Sequence, residues 1–119
     1  MSKFTQDLID EKGLINPKSI ANRFHTTVKE VANLTGLTID AVSKKDRAYS
    51  RASQKRLHDM VMIINRAMPW CGTTFQAYAW YRSEPIPSFG DLTAETLVKQ
   101  GKADAVMQYL DRIAEGGYA

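Results

Sequence analysis

The 119-residue sequence has one cysteine, two histidines and no long apolar run. A single cysteine, Cys71, excludes an intrachain disulfide and any multi-cysteine metal site, and it fits a reducing, cytoplasmic setting. His25 and His58 have no partner at His-x-x-x-His spacing, and the adjacent His58 and Asp59 do not face each other on a helix. Gly116-Gly117 is no phosphate loop, and Cys71 reads as a small core thiol. No catalytic constellation assembles, so the expectation is a non-enzyme with no metal and no cofactor. The longest apolar stretch is Met60-Val61-Met62-Ile63-Ile64, far short of the roughly 20 residues of a membrane helix. The opening MSKFTQDLID carries acids where a signal peptide is apolar, so neither membrane nor export is expected. Sustained period-two alternation and Asn-Gly or Asp-Gly turns are missing too, which excludes a sheet protein and leaves an all-α fold.

What is present is a sequence of ordinary folding composition, 44% hydrophobic and 24% charged. Within it, the stretch from Val28 to Arg47 meets three constraints of a helix-turn-helix. Ala32 is small where two helices cross closely. Gly36, four residues on, sits where the turn requires a left-handed backbone. Val42 follows six residues later, pointing inward from the second helix. Val31, Leu34, Leu37 and Ile39 occupy apolar positions compatible with the packed faces. A plain αα-hairpin satisfies part of this pattern; the full pattern predicts a unit that presents its second helix to the DNA major groove.

Charge supports that reading. Residues 1–70 hold 12 Lys and Arg against 7 Asp and Glu, while residues 71–119 hold 4 against 6. The excess concentrates in Lys44, Lys45, Arg47, Arg51, Lys55 and Arg56, opposed only by Asp46. A basic run starting in a recognition helix is where phosphate contacts belong. Thr38, Asp40, Ala41, Ser43 and Lys44 are the expected base-facing positions; Lys45, Arg47, Arg51 and Arg56 are the expected phosphate contacts. Leu37 and Val42 are read as structural.

Along the chain, Phe4, Leu8 and Ile9 suggest a leading helix ended by Gly13. Asn16-Pro17 starts a second helix. The helix-turn-helix covers about 27–46, and a long helix over 51–67, begun by Ser50, is expected to end at Pro69. A further helix is predicted over 74–83. The segment Ser83 to Gly90, SEPIPSFG, has two prolines two residues apart and is predicted to be an extended, non-helical loop. Asp91 or Thr93 caps a helix through Lys99, and a last helix spans 103–115. The domain reading is 1–13 as a leading helix, 14–68 as the helix-turn-helix domain with its long helix, and 69–119 as a small helical domain.

The order of features in the last third is specific. Trp80-Tyr81, Pro85 to Gly90, Leu97 to Gly101, Val106 to Leu110 and the ending from Ile113 to Ala119 resemble the toxin-binding domain of the Xre/MbcA/ParS antitoxins. That family also places an Xre-type helix-turn-helix first. The resemblance implies an antitoxin of a type II toxin–antitoxin pair that binds its own promoter as a dimer and joins its toxin in a hetero-oligomer. It implies a RES-domain toxin that degrades NAD or transfers ADP-ribose, blocked at its active site. Toxin contacts are then expected at Trp80, Tyr81, Pro85, Phe89, Glu115, Gly116, Gly117, Tyr118 and Ala119. The ending itself, an aromatic after two glycines, suits insertion into a concave partner, although most termini are simply solvated chain.

Two other classes remain open. A stand-alone dimeric repressor has the same helix-turn-helix, with the last helices serving only to dimerise. A partner-binding adaptor that no longer reads DNA is the third reading, since Asp40 and Asp46 repel phosphate.

Overall fold

Most of the helices begin where a short polar side chain satisfies an otherwise orphaned amide. In the computed structural model, which describes residues 2–116, Ser2 accepts from the Thr5 amide and starts α1, Lys3–Leu8. Asn16 accepts from Lys18 and starts α2, Pro17–Arg23. Thr27 opens α3, Val28–Thr35, and Thr38 opens α4, Ile39–Ser43. After α5, Lys45–Ala48, Ser50 opens α6, Arg51–Cys71. Thr73 opens α7, Thr74–Ser83; Thr93 opens α8, Ala94–Lys99; and α9 spans Ala103–Ala114. The fold is all-α. The only ladder-type pairings among the described residues are the isolated bridges Ile9–Ile15 and Ile86–Leu92.

α6 is the axis of the molecule. Leu57, Met60, Val61, Ile63, Ile64 and Ala67 are fully buried along it, with α1, α3, α7, α8 and α9 packed around it. One continuous apolar core runs from Phe4 in α1 to Leu110 in α9. The buried Gln54 is fully used: its Oε1 accepts from the Ile15 amide at 2.8 Å, and its Nε2 donates to the Ile15 and Ala48 carbonyls. That side chain fastens the 9–15 turn and α5 to the central helix.

Several expectations need correction. The leading helix ends at Leu8, before Gly13, because Asp10 accepts from Lys12 and Leu14 and turns the chain. Pro69 does not end the long helix, which runs on to Cys71. The proline removes one donor, and the ladder resumes with Gly72 N–H on the Met68 carbonyl at 2.8 Å. Segment 83–90 is not wholly extended, since Pro87–Phe89 forms a 3-10 turn with Pro87 at its first position. The helix after it is capped by Thr93; Asp91 is in the left-handed region instead.

Candidate functional site

The α3–α4 pair is built as its residues require. Ala32 and Val42 are buried, and Gly36 closes α3 in the left-handed region with φ of 74°. Gly36 answers two demands at once: a Cβ there would also meet the Lys99 Cα at 3.2 Å. Ile39 departs from expectation. It is 50% exposed at the first position of α4, while Leu37 packs against the core and Val42 turns inward.

The second helix is shorter than the sequence suggested. Lys44 takes an extended backbone with ψ of 124° and separates α4 from α5. Thr38, Asp40, Ser43 and Lys44 are exposed around the short α4, and Ala41 is half-buried. Thr38 is engaged as the cap of Ala41, and Ser43 Oγ donates to the Ile39 carbonyl at 2.6 Å. Lys45, Arg47 and Arg51 are exposed on α5 and the first turn of α6. None of the ion pairs among the described residues includes any of these three. Each carboxylate on the exposed side of this helix pair has a cation near it: Asp40 lies 4.0 Å from Lys44, and Glu30 lies 3.6 Å from Arg82.

Arg56 is not a free surface cation. Its Nη1 donates to the Thr35 carbonyl at 3.0 Å, the Val98 carbonyl at 2.8 Å and the Lys99 carbonyl at 3.3 Å. The last carbonyls of a helix have no intrahelical partner, so this guanidinium serves the C-terminal ends of α3 and α8 together. It is therefore removed from the phosphate-contact set.

At the opposite end, the expected partner contacts separate into three groups. Tyr81 is fully buried, and its hydroxyl donates to the Leu34 carbonyl at 2.8 Å, so it is a core residue. Trp80 is 7% exposed and packs edge-on against Trp70, with ring centroids 5.5 Å apart. It lies behind the exposed Trp70 ring. Pro85, Glu115 and Gly116 are exposed, and Phe89 is half-buried with its ring edge-on to Tyr109. Gly117, Tyr118 and Ala119 lie outside the described residues.

Trp70 is the residue that sequence reasoning missed. Its indole is 50% exposed and sits between two shallow depressions. One, about 310 Å³, is lined by Arg66, Pro69, Leu110, Ile113 and Ala114; the other has Gln76, Ala79, Trp80 and Glu84 on its walls. An Arg66–Asp111 ion pair borders the first. Reading Pro69 as a helix end hid the signal, because only a continuing helix carries Trp70 out beside the last turns of α9. Cys71 borders the second depression, and burial, then the nearby Glu84 charge, push its thiol up, keeping it protonated and poorly nucleophilic. Among the described residues no three His, Cys, Asp or Glu side chains gather to hold a metal ion. No helix among them is long and apolar enough to cross a membrane.

The all-α frame thus leaves a half-exposed tryptophan beside its last helix. Residues 70–116 match the family described as the antitoxin Xre/MbcA/ParS C-terminal toxin-binding domain. The matched segment begins at Trp70 and contains α7, α8 and α9. The match covers about two fifths of the chain, and it makes this segment similar to the toxin-binding domain of an antitoxin. No curated protein and no solved structure matches the chain.

Proposed function

We propose that the chain neutralises a RES-type toxin, one that degrades NAD or transfers ADP-ribose, and also binds its own promoter. The observation that carries the toxin half is the exposed Trp70 within the matched toxin-binding segment. A half-exposed indole flanked by Leu110, Ile113 and Ala114 has the make-up of an interface anchor. Gly117, Tyr118 and Ala119, the expected toxin contacts at the end of the sequence, lie outside the described residues, and their part in the contact rests on the family resemblance. The RES identity follows from the family resemblance of the sequence.

The DNA half rests on α3 and α4 as a helix-turn-helix with Lys44, Lys45, Arg47 and Arg51 exposed around the second helix. Asp40 lies near Lys44, which lowers part of the repulsion behind the adaptor reading; Asp46 is in none of the ion pairs among the described residues. A homodimer on DNA follows because one short helix gives a small interface, and operators are commonly read by two copies one helical turn apart. The test is a pair of assays on one protein: co-expression with the toxin encoded beside it, scored by growth, and a promoter shift at several salt concentrations. Protection without any shift leaves the toxin half standing alone. A shift without protection favours the stand-alone repressor.

A further inference from the structure

The most exposed apolar side chain of the α3–α4 pair is Ile39, and the core offers no reason for it. Its neighbours Leu37 and Val42 provide the inward contacts, leaving Ile39 50% exposed at the first position of α4. It borders an open cleft whose other walls include Ala32, Asn33, Leu37 and Thr38. A β-branched residue is also not a preferred helix former, so local propensity does not account for it.

We propose that Ile39 is a specificity-determining residue that packs against the 5-methyl group of a thymine in the major groove. The inference deepens the DNA-binding reading and rests on it. A recognition helix enters the groove by its N-terminal residues, and Ile39 is the first of them here. Thymine is the only base whose major-groove edge carries a methyl group, and apolar side chains read it by contact. The polar residues beside Ile39 are already engaged. Thr38 Oγ1 accepts from the Ala41 amide, and Asp40 lies near Lys44. The apolar branch of Ile39 is therefore the largest uncommitted group on this helix end. Lys45, Arg47 and Arg51 follow in sequence to fix the register on the phosphates, which carries no base information by itself.

The experiment uses the full-length protein and duplexes it selects from a random library. Each thymine of the preferred duplex is then replaced singly by deoxyuridine, which removes only the methyl group. Wild-type protein should lose about three- to tenfold in affinity at one position per half-site, the scale of burying one or two apolar carbons. Ile39→Ala, at an exposed site, should fold normally by circular dichroism and bind the thymine and uracil duplexes alike. Ile39→Val should keep part of the discrimination. A selected duplex with no thymine sensitivity, or an Ile39→Ala protein that keeps the full uracil penalty, overturns the assignment while leaving DNA binding intact. Loss of toxin binding rather than of thymine preference in Ile39→Ala also overturns it, assigning the side chain to a protein contact. If the full-length protein selects no duplex at low salt, the DNA reading itself falls and this assignment falls with it.

Discussion

The hydroxyl of Tyr81 donates a 2.8 Å hydrogen bond to the main-chain carbonyl of Leu34, tying α7 to the last turn of α3. The next carbonyl, Thr35, accepts from Arg56, and Asn33 accepts from the Lys99 ammonium at 3.5 Å. Three successive residues at the end of α3 are thus held by α6, α7 and α8. The turn at Gly36 therefore follows directly on residues fixed by the central helix and by the two helices after it.

Tyr81→Phe leaves the ring and removes the donor. The Leu34 carbonyl then lies buried without that partner, at a cost of about 1–3 kcal/mol, measurable by urea unfolding at pH 7. Burial holds the Tyr81 hydroxyl well above its usual 10.0, so the folded state keeps a proton that the unfolded state releases. That contribution is intact below pH 10 and is lost as pH rises beyond it. The wild type should lose stability above pH 10 more steeply than Tyr81→Phe. Equal slopes would remove the linkage.

Arg56 and Arg51 differ in kind, although both belong to one basic run. Arg56→Ala strands carbonyls at the ends of α3 and α8 and should cost about 2–3 kcal/mol. Arg51→Ala should alter stability by no more than about 0.5 kcal/mol. It should weaken DNA binding across all sequences and lower the salt slope by about one. Thermal melts and salt titrations of both variants separate the roles; a melt of Arg56→Ala matching wild type would refute the clamp.

Local chemistry explains why so much of the fold was legible. Caps at Asn16, Ser50 and Thr93, the turn at Gly36 and the stripe Leu57, Met60, Val61 and Ile64 are short-range signals, and helices α2, α6 and α8 begin where those caps place them. What failed depended on distant partners. Nothing near Arg56 in sequence reveals that α8 returns forty-two residues later to meet it. Tyr81 looks like a surface aromatic until α3 is laid against it. Ile39 fits an apolar pattern, but the pattern does not reveal that α4 begins beyond the edge of its neighbour. Trp70 was lost with the rule that proline ends a helix.

The two tryptophans should separate anchoring from support. Trp80→Ala empties a buried site and should lower stability by about 3–5 kcal/mol, with toxin binding falling alongside. Trp70→Ala, half exposed, should lower stability by about 1 kcal/mol or less while weakening toxin binding at least tenfold. Calorimetric titration with the toxin, run beside thermal melts, is the check. Undiminished affinity in Trp70→Ala moves the interface elsewhere.

Removing residues 115–119 should leave the melting temperature within a few degrees of wild type. The buried residues of α9, Val106, Tyr109 and Leu110, all precede the cut, and Glu115 and Gly116 are exposed. The shortened chain should still bind DNA but protect poorly against the toxin, as scored by growth. Full protection by the truncated form would show that the ending is not the inhibitory element.

The most direct measurement is co-expression of the full chain with the toxin encoded beside it, in cells that the toxin alone arrests. The account predicts restored growth with wild type, and arrest with a folded, normally expressed Trp70→Ala. A neighbouring protein that arrests nothing, or arrests growth equally with and without the chain, would contradict it.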